Sequence, residues 1–463
     1  MTESSSPTAP LRVAVVGAGP SGFYATGQLL GDGFEVDLYD VLPTPFGLVR
    51  AGVAPDHPNI KAVTRVFEKT AKKEGFRFYG GVELGRDVTP QELADRYHAV
   101  VYAFGTATDN RLGIPGEDLV GSHPATEFVA WYNGHPTYAD HEYDLTAKRV
   151  VVVGNGNVAI DVARMIVLAE EELTPTDTAD HAIAHLGAGQ VQDVVLLGRR
   201  GPAQAAFTNP ELLELGELAE ADVIVHPEDM ELDEASAQWL ESEDAHTTNR
   251  KNVEIMRGYA ARTPSGKRRR VVLEFLWSPV EIIGDTHVEA IRMVRNRIEQ
   301  GADGSLRAVP TGEEKILECG MVVRSIGYRG IPLEGISFDE RRGLIRNEGG
   351  RVLEEDGAVR TGSYAVGWIK RGPSGVIGTN KKDAADTVAR IREDAQAGVL
   401  AADRPDAETV DAFVRERVPN VITWEGWRLI DEHETAAGEP QGRPRVKLVR
   451  LEHMADVAAG VKR

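Results

Sequence analysis

The chain reads as an α/β protein containing two doubly wound parallel-sheet units, and three features predict this. A near-continuous apolar run, "RVAVVG", leads into a glycine-rich turn and an apolar-striped helix, "GPSGFYATGQLLGDG". The same strand–turn–helix device returns at "RVVVVG" followed by "NGNVAIDVARM". Further apolar strands alternate with helical segments along the rest of the chain. Apolar runs without polar alternation are what a parallel strand covered on both faces requires, and the alternation of strands with helices is that of an α/β sheet.

Taken in order, the first strand precedes a helix that stops at Gly31 or Gly33, as helices do at glycine. "EVDLYD" (Glu35 to Asp40) is a second strand, and "AVVYAFG" around Val100 a third. The pattern restarts at Arg149, with a helix expected to about Ala169 and a strand at Asp193 to Gly198. "GMVVRSIGY" and "GSYAVGWIKRGPSGVIGTNKKDAADTVARIRED" read as strands followed by a closing helix. Beyond Val399 the chain is polar and helical in places, with Trp424 and Trp427 as packing anchors. At 463 residues, two or three domains are expected.

Composition excludes several classes. Hydrophobic content of 42% and charged content of 27% are those of a globular protein, and no apolar run approaches membrane-span length. The opening "MTESSSPTAP" lacks Lys and Arg, so it reads as a disordered tail and not as a targeting segment. Cys319 is the single cysteine, which excludes an internal disulfide, a CxxC pair and a cysteine-held iron–sulfur cluster. That usage fits a cytoplasmic protein whose redox chemistry uses a bound cofactor, and no metal ligand set is expected. A net charge of −20 argues against nucleic acid as partner. The charge is uneven: Glu and Asp dominate from Glu228 to Asp244, and eight Lys or Arg lie between Arg250 and Arg270. Such runs ordinarily form a solvated face, although a basic island on an acidic protein also suits an acidic partner.

Gly17, Gly19 and Gly22 stand in GxGxxG spacing directly after a strand. In that motif the first glycine permits the turn, the second admits a pyrophosphate and the third allows close helix packing. The diphosphate then lies at a helix N-terminus, where free N–H groups and the dipole favour it; Ser21 falls in that first turn. Asp40 ends the next strand, where a carboxylate can hold an adenosine ribose. The second unit carries Gly154, Gly156 and Ala159, the GxGxxA variant, and its next strand ends in Arg199 and Arg200. Two arginines in the place of the ribose carboxylate suit a 2′-phosphate. One FAD and one exchanging NADP(H) are therefore expected, a pairing that fits hydride transfer from nicotinamide to flavin.

Several blocks carry a more specific resemblance: "DVLPTPFGLVRAGVAPDHPNIK", "VVVGNGNVAIDVAR", "GRRGPAQAAFTNPELLELGEL", "VVRSIGYRG" and "GWIKRGPSGVIGTNKKDAADTV". Through them the chain closely resembles the adrenodoxin reductase-like branch of ferredoxin–NADP reductases, including its bacterial members, from about Arg12 to at least Arg392. The resemblance implies two Rossmann-like dinucleotide-binding domains, with an NADP domain (residues 110–326) inserted into a discontinuous FAD domain (residues 11–109 and 327–463). It places Leu48 near the flavin and Val82 at the adenine end of FAD. Trp368 and the run Gly375, Val376, Ile377 are implied around the flavin ring and its pyrophosphate. Asn155, Gly156, Asn157 and Val158 are implied at the NADP pyrophosphate, with Arg111 and Glu211 as further NADP contacts. His57 and Glu214 are the polar residues it sets beside nicotinamide and flavin, for orientation and redox tuning. By itself, His57 between Asp56 and Pro58 equally suits a turn cap.

With no CxxC to reduce, the outgoing electrons are expected to go singly to an external ferredoxin. Ferredoxins are generally acidic, so Arg250–Arg270 gains a role as docking patch, with Lys370, Arg371, Lys381 and Lys382 as possible helpers. A monomer is expected. Two other readings stand beside this one: a flavoprotein like the small subunit of glutamate synthase, and a non-catalytic FAD/NADPH redox sensor. The cysteine-free start disfavours the first, and the intact nucleotide motifs with His57 and Glu214 disfavour the second.

Overall fold

The computed structural model describes residues 10–375 and 377–461. The opening tail up to residue 9 and Val376, expected beside the flavin, lie outside the described residues.

Two parallel sheets form the frame. The first has Arg12–Val16 at its centre, flanked by Glu35–Asp40 and Phe76–Gly80 on one side and by Ala99–Tyr102 and Val359–Ala365 on the other. These five run parallel, and the short strands Arg351–Leu353 and Asn347–Glu348 extend the edge antiparallel. The second sheet runs parallel throughout, in the order Ser122–Pro124, Met321–Arg324, Arg149–Val153, Asp193–Gly198, Arg269–Phe275, Ala221–Val225. All of its strands fall in sequence between Ala99–Tyr102 and Val359–Ala365, which are neighbours in the first sheet. The chain's two crossings between the sheets pair with each other, Thr108–Asp109 antiparallel to Tyr328–Arg329.

Both central strands are covered on both faces, which explains their unbroken apolar sequences. Val13 and Val15 join one core cluster while Ala14 and Val16 join another. In the same way Val150 and Val152 face one cluster and Val151 and Val153 the opposite one. The helices following the glycine turns span Pro20–Gly31 and Asn157–Val167, the second ending slightly before the expected Ala169. Trp424 and Trp427, on the helix Trp424–Gly438, pack edge-on against Phe46 at 6.2 and 5.7 Å. An antiparallel three-stranded sheet, Trp277–Ile283, Ala290–Gln300 and Leu306–Glu318, was not evident from the sequence.

The segment Arg443–Arg450 ties the last helix to the second unit. Arg443 donates to the carbonyls of Thr176 and Thr178 and to Asp180. The buried Lys447 ammonium reaches Asn133 and Asp177, both at 3.2 Å. Among the described residues, no helix is long and apolar enough to cross a membrane.

Candidate functional site

The first glycine turn is built by steric necessity at two of its three glycines. Gly17 has φ +111°, and a Cβ there would lie 2.6 Å from the Ala103 carbonyl carbon. At Gly22 a Cβ would fall 1.9 Å from the Gly17 oxygen, so helix and turn can meet only at glycine. Gly19 differs: a Cβ would meet nothing within 4 Å, and the residue caps the helix in extended conformation. The backbone there is bare on a side that opens outward.

Asp40 is buried at the end of its strand, and burial raises its carboxyl to about 6. Its two oxygens accept from the backbone amides of Ala18 at 2.7 Å and Leu42 at 2.9 Å. The carboxylate thus staples the glycine turn to the next loop, a structural duty the sequence did not reveal. Val82 sits beside it, its amide donating to the Asp40 carbonyl at 3.0 Å. Phe46 donates to Ala18 and so lays the 42–47 loop over the turn, which leaves Leu48 half exposed at the start of a short helix. From the C-terminal part, Gly367 lies against Ser21, where a Cβ would be 2.1 Å from the serine hydroxyl. Trp368 follows and stacks on Tyr328, with ring centroids 5.5 Å apart. The turn containing Gly375 (φ +78°) and Ile377 leads into the helix Thr379–Gln396, which packs on the helix Pro20–Gly31.

The second turn repeats the design. Gly154 (φ +140°) would place a Cβ 2.1 Å from the Ser325 oxygen, whereas Gly156 again faces open space. Ala159 is fully buried in the core. Asn155 and Asn157 anchor the following loop: the Asn155 carbonyl accepts from Ala206 at 3.0 Å, and Asn157 Oδ1 accepts from Thr208 at 2.8 Å. Val158 packs on the core from the edge. Arg199 is exposed and Arg200 half-buried, with burial and its neighbour's charge lowering the Arg200 pKa. Among the described residues neither guanidinium has an ion-pair or hydrogen-bond partner, unlike most arginines of the chain. Arg111 is exposed and pairs with Asp118 at 2.5 Å.

The two units meet at a buried ionic cluster. His57 stands at the N-terminus of the helix Pro58–Lys61 but makes no side-chain cap; its ring turns instead to Glu214, with Nε2 2.8 Å from Oε2. Glu211, one turn earlier on the helix Asn209–Leu215, lies 3.8 Å from the same ring nitrogen. Arg164 reaches in from the helix after the second turn, 2.5 Å from His57 Nε2 and 2.8 Å from Glu214, and also pairs with Asp56. Asp161, on that same helix, completes the group. Burial, and next the nearby Glu211 charge, push its carboxyl well above the usual range; burial also raises Glu211. One oxygen of Asp161 and one of Glu211 are buried without a hydrogen-bond partner.

Sequence reasoning missed Asp56, Asp161 and Arg164. The signal was present in "NVAIDVARM": two opposite charges three residues apart on a helix whose neighbours Ile160, Val162, Ala163 and Met165 are all buried. His57, Asp161 and Glu211 also offer three ligand-type atoms within 4.8 Å of one another. The cation in that space is Arg164, 3.9 Å from each of the two carboxylates.

The basic run from Arg250 to Arg270 lies mostly at the surface, but several of its side chains already have partners within the chain. It forms the helix Thr247–Ala260, a turn, and the start of a central strand. Arg269 is buried and donates to the carbonyls of Ile166 and Leu168; Arg270 pairs with Asp193, and Arg250 caps the carbonyls of Leu240 and Ser242. Arg250, Lys251, Arg257, Arg262, Arg268 and Arg270 are all exposed, and of these Arg257, Arg262 and Arg268 form no ion pair among the described residues. Of the expected helpers, Lys370 is bound to Asp383 and Arg371 to Asn380, while Lys381 and Lys382 are exposed.

Comparison with known proteins gives a consistent picture. Residues 11–189 match the pyridine nucleotide-disulphide oxidoreductase family. The chain is 46% identical to the NADPH-ferredoxin reductase FprA of Mycobacterium tuberculosis over 97% of its length and 100% of the relative's. It is 38% identical to the mitochondrial NADPH:adrenodoxin oxidoreductase of Arabidopsis thaliana, over 98% of this chain and 97% of that one. The structure of M. tuberculosis FprA in complex with NADPH superposes with a TM-score of 0.93 at 45% identity, covering 98% of this chain and 100% of the other.

Proposed function

We propose, from the premise that this chain belongs to the family of the FprA NADPH-ferredoxin reductases, a division of labour among its residues in a FAD-dependent NADPH–ferredoxin reductase. The observation that carries it is the contrast within each glycine turn. Gly17, Gly22 and Gly154 are closed in by their own protein, but Gly19 and Gly156 leave bare backbone at a helix N-terminus. That is the shape a dinucleotide diphosphate needs, so the residues fit both cofactors.

In this reading Gly17, Gly19, Ser21, Gly22, Asp40, Leu48, Val82, Trp368, Gly375 and Ile377 hold FAD. Asn155, Gly156, Asn157 and Val158 hold the NADP(H) diphosphate, and Arg199 with Arg200 receive its 2′-phosphate. Glu211, whose Oε2 accepts no hydrogen bond and lies 3.9 Å from Arg164, is a further contact of NADP(H). Bound together, the two cofactors supply hydride transfer to flavin and release of single electrons to ferredoxin. The protein orients them: the cluster around His57 and Glu214 joins the segment beside the first turn to the helix behind the second, with His57 and Arg164 buried and Glu214 partly open to solvent. Residues 11–109 and 327–463 form the FAD unit and residues 110–326 the NADP unit, a division supported by the strand Val359–Ala365 returning to the first sheet.

The chain acts as a cytoplasmic monomer on an acidic ferredoxin. Its docking surface draws on Arg257, Arg262, Arg268, Lys381 and Lys382, since the other basic residues considered are internally engaged. The purified yellow protein should oxidise NADPH and reduce cytochrome c weakly until a ferredoxin is added. If NADPH fails to bleach the yellow colour, the assignment is lost.

The bare glycines give a sharper check. Gly156→Ala has room in the folded protein, so it should fold and keep its colour while weakening NADPH binding by about 1–3 kcal/mol through the lost close approach. Gly22→Ala should fail to fold into a coloured protein, because its methyl has no room. Equal behaviour of the two variants, measured by absorbance and NADP+ titration, would remove the distinction.

A further inference from the structure

The two arginines after the second nucleotide strand are held by the antiparallel sheet that the sequence did not reveal. The Arg199 carbonyl accepts from the side-chain amide of Asn296 at 2.8 Å, and the Arg200 carbonyl from the Leu276 amide at 3.2 Å. The Gly201 amide donates to Gln204 Oε1 at 3.1 Å, and Gln204 Nε2 donates in turn to Ser236 at 2.9 Å. The backbone of the loop is thus pinned while both guanidinium groups stay free. The loop also lies against the second glycine turn, since a Cβ at Gly198 would be 3.0 Å from Asn155 Nδ2.

Asn296 joins these pins. It is buried where the strand Ala290–Gln300 slips register between Val294 and Asn296. Its backbone amide donates to the Leu276 carbonyl at 2.7 Å, so it holds Arg199 directly and Arg200 through Leu276. Leu276 has φ +63°, a left-handed conformation that a leucine keeps only where its surroundings over-determine it. Asn296 Nδ2 also donates to Ser278 Oγ at 2.8 Å. A carbonyl only accepts, so the amide nitrogen must face Arg199, and Oδ1 is left buried without a hydrogen-bond partner. Leaving that oxygen unpaired costs stability; what the amide does in this position is grip the Arg199 carbonyl.

We propose that Asn296 is a positioning residue for nucleotide choice: it fixes the Arg199–Arg200 backbone so that both guanidinium groups converge on one 2′-phosphate. This rests on the reading that these arginines receive that phosphate. A guanidinium fork recognises a phosphate only in the right orientation. A loosened loop loses that orientation while keeping its charge. Asn296 acts through Arg199 and Arg200 and not on the nucleotide, so only ligands carrying the 2′-phosphate should sense its loss.

The test titrates the FAD-loaded protein with adenosine 2′,5′-bisphosphate and adenosine 5′-monophosphate, which differ in the 2′-phosphate and lack nicotinamide. By calorimetry, Asn296→Ala should bind the bisphosphate about threefold to tenfold more weakly, the weight of one hydrogen bond. Affinity for the monophosphate should change by less than about twofold. The KM for NADPH should rise with the bisphosphate constant while kcat holds. Added to Arg199→Gln with Arg200→Gln, Asn296→Ala should cause no further loss, because the groups it positions are gone. Equal weakening of both probes, unchanged affinities, or a full further loss in that background would overturn the proposal. Should Asn296→Ala not give a coloured protein, Ser278→Ala removes the other acceptor that fixes the amide. It should weaken the bisphosphate alone by about twofold, and unchanged binding there would equally overturn the proposal. If the arginine double variant weakens both probes equally, the 2′-phosphate reading fails and takes the proposal with it. A selective loss in that variant with none in Asn296→Ala removes the proposal alone.

Discussion

Replacing both Arg199 and Arg200 with glutamine should raise the KM for NADPH by about tenfold to a thousandfold and leave that for NADH nearly unchanged. Hydrogen bonds to charged groups contribute about 1.5–3 kcal/mol each, and each 1.4 kcal/mol is about a factor of ten in affinity. Two such contacts set the upper end, and solvent around the exposed Arg199 brings the lower end down. The basis for expecting a large effect is that neither side chain is otherwise engaged. An arginine already paired, as Arg111 is with Asp118, has a partner to leave before it can serve a ligand. Steady-state kinetics with both nucleotides decides the matter: equal changes for NADPH and NADH would place the 2′-phosphate elsewhere.

The second large effect concerns the C-terminal tie. Asp177 is buried between the ammonium groups of Lys61, at 2.6 Å, and Lys447, at 3.2 Å. The two cations hold its carboxyl far below the usual range, while burial lowers the pKa of both lysines. Asp177→Asn leaves two buried ammonium groups with no counter-charge, a change that costs about 3–5 kcal/mol. Urea unfolding followed by tryptophan fluorescence should show a marked fall in the midpoint. Adding Lys447→Met should restore part of the loss, because it removes one of the stranded charges. A midpoint unchanged by Asp177→Asn would mean that water reaches this site and solvates the lysines. The neighbouring Glu434 follows the same logic, buried and bidentate with Arg50 at 2.6 and 2.8 Å.

The fold and the site were legible in the sequence to different depths. Both strand–turn–helix units could be read because their constraints are local. Gly22 is required by the Gly17 carbonyl five residues away, and the alternate faces of "RVAVV" and "RVVVV" are both apolar because both are covered. The position of Arg199 and Arg200 could be read because they directly follow a strand, Asp193–Gly198, whose place comes from the same unit. The basic run from Arg250 to Arg270 was legible only in part, because charge alone does not say which guanidinium is already engaged. Arg269 satisfies carbonyls of Ile166 and Leu168 about a hundred residues away, and this appears only when the strands pair.

The sequence by itself therefore determined the two nucleotide-shaped turns, the covered parallel strands and the charge at the end of the second unit. Each depends on contacts within a few residues or on a period that the chain spells out. The tertiary structure alone decided that Asp40 staples its own turn, that Arg269 of the basic run is buried against distant carbonyls, and that His57 meets Glu214 and Arg164. Those side chains come from three elements separated by 107 and 157 residues. Local chemistry fixes what each can donate or accept, but which donor finds which acceptor is set by the packing of two sheets that meet only after the chain has crossed between them twice.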